Sequence, residues 1–269
     1  GSMGGFDAAT DRFTLVHAAH VVPVRPQCGA LANHTVVLDG TRIAALLPRD
    51  EALDRYPDAE TVELPDHALL PGFVNAHTHS PMSLLRGYAD DMALEVWLRE
   101  HIWPAEGRFV NHAFVRDGTR LAVAEMLRSG TTCFNDMYFF PDSTIEVCRE
   151  AGMRVCAGIT IIEMASSWAT GVGEYIEKGL ALRDQWKDDP LVGFALAPHS
   201  PYTVSDDAMD QIAGLSGELD LRVHMHVLET EWELKQSYQQ HDSHPLTRLR
   251  RHGLLNDRLS AVHMTQLRE

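Results

Sequence analysis

The sequence contains little cysteine and little lysine, and it has no long apolar run. Its four cysteines show neither a Cys-x-x-Cys spacing nor the dense pattern of a disulfide-stabilised domain, so we expect free thiols in a reducing compartment, the cytoplasm. No apolar stretch is long enough to cross a bilayer, and the first residues do not resemble a secretory signal.

Positive charge is also scarce. Lysine and arginine number 23 against 38 aspartates and glutamates, which gives a formal net charge of −15. Such a surface repels polyphosphate chains and anionic lipids unless a local basic patch overrides it, and the sequence shows no such patch. We therefore expect neither a nucleic acid nor an anionic membrane as a partner.

The chain of 269 residues, 45% of them hydrophobic, is long enough to bury one large core. Residues 1–5 are typical of a cloning remnant and are left out of fold reasoning. Residues 6–67 contain short β-type runs, and the Asp39-Gly40 pair between two of them is a strong hairpin signal. We interpret this part as a small N-terminal β-sandwich domain without catalytic residues.

From residue 68 onward, strand patterns alternate with helix patterns. The candidate strands are rich in Val, Ile, Ala, Phe and Met, and they span residues 69–77, 131–136, 154–161, 192–199, 222–228 and 259–264. Six such units predict a parallel α/β sheet, either a barrel or a doubly wound sheet. The apolar stretch between Ser80 and Gly107 is predicted to cover the mouth above the first strand.

Two histidines end the first of these strands, in Leu70-Pro-Gly-Phe-Val-Asn-Ala-His77-Thr-His79. Side chains alternate along a strand, so His77 and His79 point to the same face and can meet at one metal ion. The alternative is two ordinary histidines in a chain that has 15 of them. The preceding apolar run, its Pro-Gly pair and later histidine-bearing strands favour the metal site.

Further histidines collect at the ends of later candidate strands, where β/α barrels carry their active sites. They are His199 after the fourth strand, His224 and His226 on the fifth, and His263 on the sixth. This clustering favours a barrel over an open sheet. The remaining histidines are expected at the surface, in loops or helices, and include His17, His20, His34, His67, His112, His241, His244 and His252.

Four motifs together resemble the amidohydrolase superfamily: Pro71-Gly-Phe-Val-Asn-Ala-His77-Thr-His79, Leu196-Ala-Pro-His199-Ser-Pro-Tyr202, His224-Met-His226-Val-Leu-Glu229-Thr230 and Ala261-Val-His263-Met-Thr. Within it, the chain resembles the chlorohydrolase and aminohydrolase branch, and there the 5'-methylthioadenosine/S-adenosylhomocysteine deaminases. The resemblance covers nearly the whole chain. It implies a TIM-like (β/α) metal-dependent hydrolase barrel over residues 68–269, incomplete at about six β/α units.

The resemblance implies that His77, His79 and His226 bind one Zn2+ ion, or another divalent first-row metal, per chain. Some members of the superfamily bridge two metals with a modified lysine at the end of the fourth strand. Here that strand ends in His199, and the three lysines, Lys178, Lys187 and Lys235, lie in helical or loop patterns. A mononuclear site is therefore the better interpretation.

The resemblance further implies that Glu229 carries protons and that His263 contacts the attacking water or the reacting centre. Glu106, His199 and Trp103 would contact the substrate, with Glu106 on the ribose hydroxyls. The implied reaction is hydrolytic deamination of an adenine nucleoside to the inosine product and ammonia. The protein would then be a hydrolase acting on C–N bonds, and a homodimer in its full-length form.

Two features depart from the family pattern. The aspartate that completes the metal site on the last strand would lie beyond Glu269, so we expect a fragment that lacks the C-terminal strands, binds metal weakly and turns over poorly. No arginine lies near Ser166 to Thr170, where related deaminases contact the substrate. S-adenosylhomocysteine is therefore expected to bind less well than 5'-methylthioadenosine or adenosine.

Two other functions are open on sequence grounds. The same residues could deaminate or dechlorinate another heterocycle, such as guanine, a pterin or a triazine. A catalytically incomplete chain could instead serve as a metal-binding or assembly module.

Overall fold

The computed structural model of the protein describes residues 12–268. They form two compact units, one ending at Gly72 and the other beginning at Phe73. The expected cloning remnant, residues 1–5, lies outside the described residues. None of the helices in residues 12–268 combines the length and the apolar character that crossing a bilayer requires.

The N-terminal unit contains a four-stranded sheet in the order β3-β2-β1-β4. Its elements are β1 (Phe13–Val21), β2 (Leu31–Asp39), β3 (Arg42–Pro48), α1 (Arg49–Arg55) and β4 (Glu60–Leu69). The predicted hairpin joins β2 to β3, and Gly40 adopts the left-handed conformation, φ +57°, that this turn requires. Leu15, Val37 and Ala52 form the buried core of this unit.

Two details of this unit differ from the sequence-based expectations. β4 continues to Leu69, which pairs with Val21, so the first barrel strand begins only at Phe73. Histidines expected in loops or helices lie in strands, namely His17, His20, His34 and His67. The surface prediction is wrong for His17, which is 3% exposed and hydrogen-bonded to Thr35, because its position in β1 faces the interior.

The second unit contains a six-stranded parallel sheet. Its strands follow one another in chain order: β5 (Phe73–Thr78), β6 (Thr131–Asp136), β7 (Arg154–Ile161), β8 (Val192–Pro198), β9 (Arg222–Val227) and β10 (Leu259–His263). The first strand starts later than predicted. The other five strands lie where the apolar runs predicted them.

This sheet is strongly curved. β5 and β9 are four positions apart, which in a flat sheet would separate them by about 19 Å, at roughly 4.8 Å per strand. Nδ1 of His77 on β5 nevertheless lies 2.9 Å from Nε2 of His224 on β9. The six strands therefore surround a common interior, and the prediction of an incomplete β/α barrel is confirmed.

Helical segments connect the strands. Between β5 and β6 lie a 3₁₀ helix (Ser80–Leu85), α2 (Leu94–Val96), a π-helical turn (Trp97–Ile102), α3 (Trp103–Phe109) and α4 (His112–Arg128). The later connections contain α5 (Pro141–Ala151), α6 (Val172–Trp186), α7 (Asp206–Leu219), α8 (Glu231–His241) and α9 (Pro245–Arg251). The largest apolar cluster packs α7 against the strands, through residues such as Met209, Ile212, Leu196 and Met225.

The 3₁₀ helix that follows His79 packs directly on α4. Gly118 of α4 is buried, and a Cβ atom there would lie 2.3 Å from the carbonyl oxygen of Pro81. Glycine is required at this position because any side chain would push the two backbones apart. The contact fixes the segment that begins immediately after His79.

We predict that Gly118→Ala destabilises the protein by roughly 1–3 kcal/mol, because the methyl group overpacks a backbone contact that cannot yield. The matched control is Gly214→Ala on the exposed side of α7, where nothing lies within 4 Å of the added Cβ. It should stabilise by about 0.5–1 kcal/mol, since alanine loses less backbone entropy in a helix. Urea unfolding measures both, and a stabilised Gly118→Ala protein would contradict the described contact.

Candidate metal centre and substrate cavity

Three histidine side chains converge at the C-terminal ends of β5 and β9. His77 lies on β5, His79 follows two residues later, and His226 lies on β9. One ring nitrogen of each lies within 4.8 Å of the other two, and all three residues are buried or half-buried. The structure thus brings together the three residues that were expected to bind metal.

Hydrogen bonds of two rings determine which nitrogen is available. Nδ1 of His79 lies 2.6 Å from the carbonyl oxygen of Met137, and Nδ1 of His226 lies 2.7 Å from that of His199. A carbonyl oxygen only accepts, so Nδ1 donates in both rings. Each Nε2 therefore keeps its lone pair, which is the form that binds a metal ion.

The third ring is oriented by another histidine. Nδ1 of His77 lies 2.9 Å from Nε2 of His224, and Nε2 of His77 faces Nε2 of His226 at 3.2 Å. Ligand histidines commonly use their second nitrogen in this way, and the partner holds the ring in place. Sequence analysis located His224 at this strand end without a role; the available signal was its two-residue spacing from His226.

This arrangement fits a divalent metal ion. Burial lowers the pKa of His77 to about 3 and also lowers the pKa values of His79 and His226, so the rings are neutral near neutral pH. When Nδ1 of His77 donates to His224, Nε2 of His77 and Nε2 of His226 both present lone pairs, and a cation between them stabilises this arrangement. Two Zn–N bonds of about 2.1 Å at a tetrahedral angle separate their nitrogens by about 3.4 Å, close to the 3.2 Å between His77 and His226.

Glu229 and His263 form a pair beside the cluster. Oε1 of Glu229 lies 3.3 Å from Nε2 of His263, whose ring is stacked on that of His226 with centroids 5.3 Å apart. Burial raises the pKa of Glu229, and His263 partly offsets this. His263 has φ +76°, a conformation rare outside glycine, so backbone strain is held next to the cluster.

A largely apolar cavity opens next to His79. The predicted substrate-contact residues Glu106, His199 and Trp103 all line it, together with Trp97. Burial raises the pKa of Glu106 to about 7 and lowers that of His199 to about 3. An apolar wall with a few fixed polar groups is typical of small-molecule sites, so the cavity is the candidate substrate site.

Asp136 is a buried carboxyl group that sequence analysis did not single out. It ends β6, is 3% exposed, and its Oδ1 accepts a hydrogen bond from the backbone N–H of Ser80 at 2.7 Å. Burial raises its pKa to about 7. Asp136 therefore fixes the backbone directly after His79. No spacing around it in the sequence marks this role.

Glu233 holds the backbone on the other side of the site. It is 1% exposed, and its Oε2 accepts a hydrogen bond from the N–H of Leu228 at 2.6 Å. Leu228 has φ +53° and directly precedes Glu229. The Thr230-x-x-Glu233 spacing of a capping box is the signal that could have revealed Glu233. In a capping box the glutamate would bond the backbone N–H of Thr230, but the Glu233 carboxylate bonds that of Leu228 instead.

The model of the amidohydrolase family matches residues 68–268. The chain belongs to the amidohydrolase family. The resemblance expected from the four histidine motifs is thereby confirmed, and the converging histidines lie within the matched region.

This amidohydrolase is 43% identical over 249 residues to 5-methylthioadenosine/S-adenosylhomocysteine deaminase of Teredinibacter turnerae, covering 93% of this chain and 56% of that protein. It is 36% identical over 237 residues to 5'-deoxyadenosine deaminase of Methanothrix thermoacetophila, covering 88% and 54%. The crystal structure of a zinc-bound adenosine deaminase from Xanthomonas campestris matches with a TM-score of 0.93 and 48% identity, covering 96% of this chain and 59% of that one. The chain spans about half the length of the curated relatives it matches.

We predict a graded loss of divalent-metal affinity in this amidohydrolase. His226→Ala removes a ligand nitrogen and should lower the affinity for Co2+ by more than about 100-fold, while His224→Leu removes only the partner of His77 and should cost about 10–100-fold. His112→Asn, on the first turn of α4, should have no effect. Cobalt absorbance in competition with a chelator measures the Co2+ affinity of all three variants. Equal affinities would contradict the assignment of the metal site.

We predict that Glu233→Gln changes how stability depends on pH. The pKa of Glu233 is raised from its ordinary 4.5 to about 7, so its contribution to stability is present below pH 4.5 and is lost as the pH rises through 7. The glutamine variant should therefore exceed the wild type by roughly 1–3 kcal/mol at pH 8.5, with a smaller difference at pH 5. Urea unfolding at both pH values measures this; Glu218→Gln on α7 is the control, and a difference independent of pH would refute the prediction.

Proposed function

We propose that this amidohydrolase is a zinc-dependent hydrolytic deaminase of adenine nucleosides, such as 5'-methylthioadenosine, S-adenosylhomocysteine or adenosine. The observation that carries the proposal is the cluster of neutral Nε2 atoms of His77, His79 and His226 beside the Glu229–His263 pair. Relatives named as deaminases of 5-methylthioadenosine, S-adenosylhomocysteine and 5'-deoxyadenosine support the substrate class.

The proposed metal ligands are His77, His79 and His226. When bound, a zinc ion supplies Lewis acidity and lowers the pKa of a water molecule to about 7. The contribution of the chain is to hold the three rings neutral and oriented, through the carbonyl groups of Met137 and His199 and through His224.

Glu229 is the proposed proton carrier. Its raised pKa lets it accept a proton from the attacking water and return it to a ring nitrogen of the adenine. Water adds to the ring carbon that bears the exocyclic amine. The second proton of that water then passes from the added hydroxyl to the amine, the bond from the carbon to the amine breaks, and ammonia leaves as the carbon–oxygen double bond of the inosine product forms. His263, 3.3 Å from Glu229, is placed to hydrogen-bond the water or the reacting centre.

The remaining contacts bind the nucleoside. His199 is neutral and its Nδ1 lies 3.0 Å from Oγ1 of Thr203, so its ring is held at the cavity wall to contact the base. Glu106 accepts hydrogen bonds from the ribose hydroxyls, and Trp103 faces the 5'-substituent. In the segment from Ser166 to Thr170, near which related deaminases often have an arginine that reaches the substrate, the Thr170 hydroxyl donates to Glu174 at 2.6 Å, which disfavours a substrate carboxylate nearby.

Two expectations about the whole protein accompany this function. Four free cysteines, of which Cys148 is buried, support a reducing compartment, the cytoplasm. The resemblance to related deaminases supports a homodimer of the full-length protein, which light scattering after gel filtration would test.

We predict that the full-length protein releases ammonia from 5'-methylthioadenosine and adenosine more efficiently than from S-adenosylhomocysteine. A chelator should abolish the activity and added Zn2+ should restore it. Glu229→Gln should lower kcat by roughly 10²–10⁴-fold, because the proton carrier is lost, with unchanged metal content. The matched control is Glu231→Gln, two residues away and exposed, which should retain activity.

Activity confined to guanine, pterins or triazines would replace this function with the alternative deaminase or chlorohydrolase function. If the metal-loaded protein acted on none of these heterocycles, a metal-binding module without catalysis would be favoured instead.

A further inference from the structure

Glu106 is buried in the cavity wall and has one side-chain hydrogen bond among residues 12–268. Glu106 is 8% exposed and Tyr138 is 5% exposed, and the hydroxyl of Tyr138 donates to Oε1 of Glu106 at 2.9 Å. Both residues line the cavity that contains His79 and His199. A buried carboxyl group held by a single donor leaves its second oxygen available to a ligand in the cavity.

Tyr138 itself is rigidly placed. It lies two residues beyond the end of β6, where the hydroxyl of Thr160 on β7 donates to its carbonyl oxygen at 3.0 Å. Its ring packs against that of Phe139 with centroids 5.4 Å apart. The backbone of Tyr138 is therefore held between the end of β6 and β7, and its ring is packed, independently of any ligand.

The phenol can act only as a donor to Glu106. Burial and the neighbouring carboxylate raise the pKa of Tyr138, so the hydroxyl keeps its proton. Its hydrogen bond favours the ionised form of Glu106 and opposes the effect of burial on that group. The hydrogen bond from Tyr138 thus favours the carboxylate, which is the form that can receive two hydrogen bonds from neighbouring hydroxyl groups.

We infer that Tyr138 is a positioning residue that makes the cavity selective for nucleosides with an intact vicinal diol on the sugar. Its hydroxyl fixes the Glu106 carboxylate so that the carboxylate receives both sugar hydroxyls. The inference rests on the proposed function, in which Glu106 contacts the ribose.

The test is Tyr138→Phe in the full-length, zinc-loaded protein, because this change removes the hydroxyl and keeps the ring. KM for 5'-methylthioadenosine should rise about tenfold to a hundredfold, the range for losing a hydrogen bond to a charged group, with kcat changed less than about twofold. For 2',3'-dideoxyadenosine, which lacks both hydroxyls, the wild type and the variant should have equal KM values. Tyr175→Phe is the matched control, since the hydroxyl of this buried phenol is hydrogen-bonded to the carbonyl oxygen of Met164 and the hydroxyl of Ser166, and it should leave the ratio of the two KM values unchanged.

A second variant keeps the inference testable if Tyr138→Phe is unstable. When Tyr138 acts through Glu106, the double variant Tyr138→Phe/Glu106→Gln should bind 5'-methylthioadenosine no more weakly than Glu106→Gln alone. If Tyr138→Phe raised KM equally for both nucleosides, or raised it for neither, the inference would be overturned while the proposed function stands. A wild type that acts on no adenine nucleoside would overturn the proposed function, and the inference with it.

Discussion

The second unit depends on keeping three imidazole rings neutral while their lone pairs point towards one another. Water would solvate those nitrogens and protons would occupy them, so the rings must be buried. Burial alone would leave them free to rotate. The carbonyl groups of Met137 and His199, together with His224, bind the outward nitrogens and direct the inward ones, so the same contacts that satisfy buried polar groups also define the candidate metal site.

The backbone next to these rings is held by carboxyl groups that are themselves buried. Asp136 accepts from Ser80 beside His79, and Glu233 accepts from Leu228 beside Glu229. Each of these carboxyl groups has a pKa near 7 because it has been removed from water and receives few hydrogen bonds. Burying these carboxyl groups lowers the stability of the protein but fixes the backbone beside the site, as is common where a site needs unusual backbone conformations.

The cavity wall also contains a buried carboxyl group, that of Glu106, but this one is suited to bind a ligand and not to hold the backbone. Glu106 is buried among apolar side chains, and the phenol of Tyr138 supplies one donor to it. In Asp136 and Glu233 the partner is a backbone N–H, so the carboxyl group holds the fold. In Glu106 the partner is a side chain and the residue lines the cavity, which makes this the one of the three suited to bind a ligand.

The sequence by itself determined the order of strands and helices and favoured the barrel class, because these features depend on periodicity along the chain and on the histidines at the strand ends. The eight candidate site residues and their roles came from the resemblance of its motifs to the amidohydrolase superfamily. Only the tertiary structure decided which groups orient them. His224, Asp136, Tyr138 and Glu233 act across gaps of 147, 56, 32 and 5 residues, respectively. The contact of His224 exists because the sheet curves, and that of Asp136 exists because β6 pairs directly with β5. The contact of Glu233 exists because a left-handed turn at Leu228 folds the chain back on itself. Neither the pairing and curvature of the sheet nor the burial that sets the pKa values is encoded in local spacing.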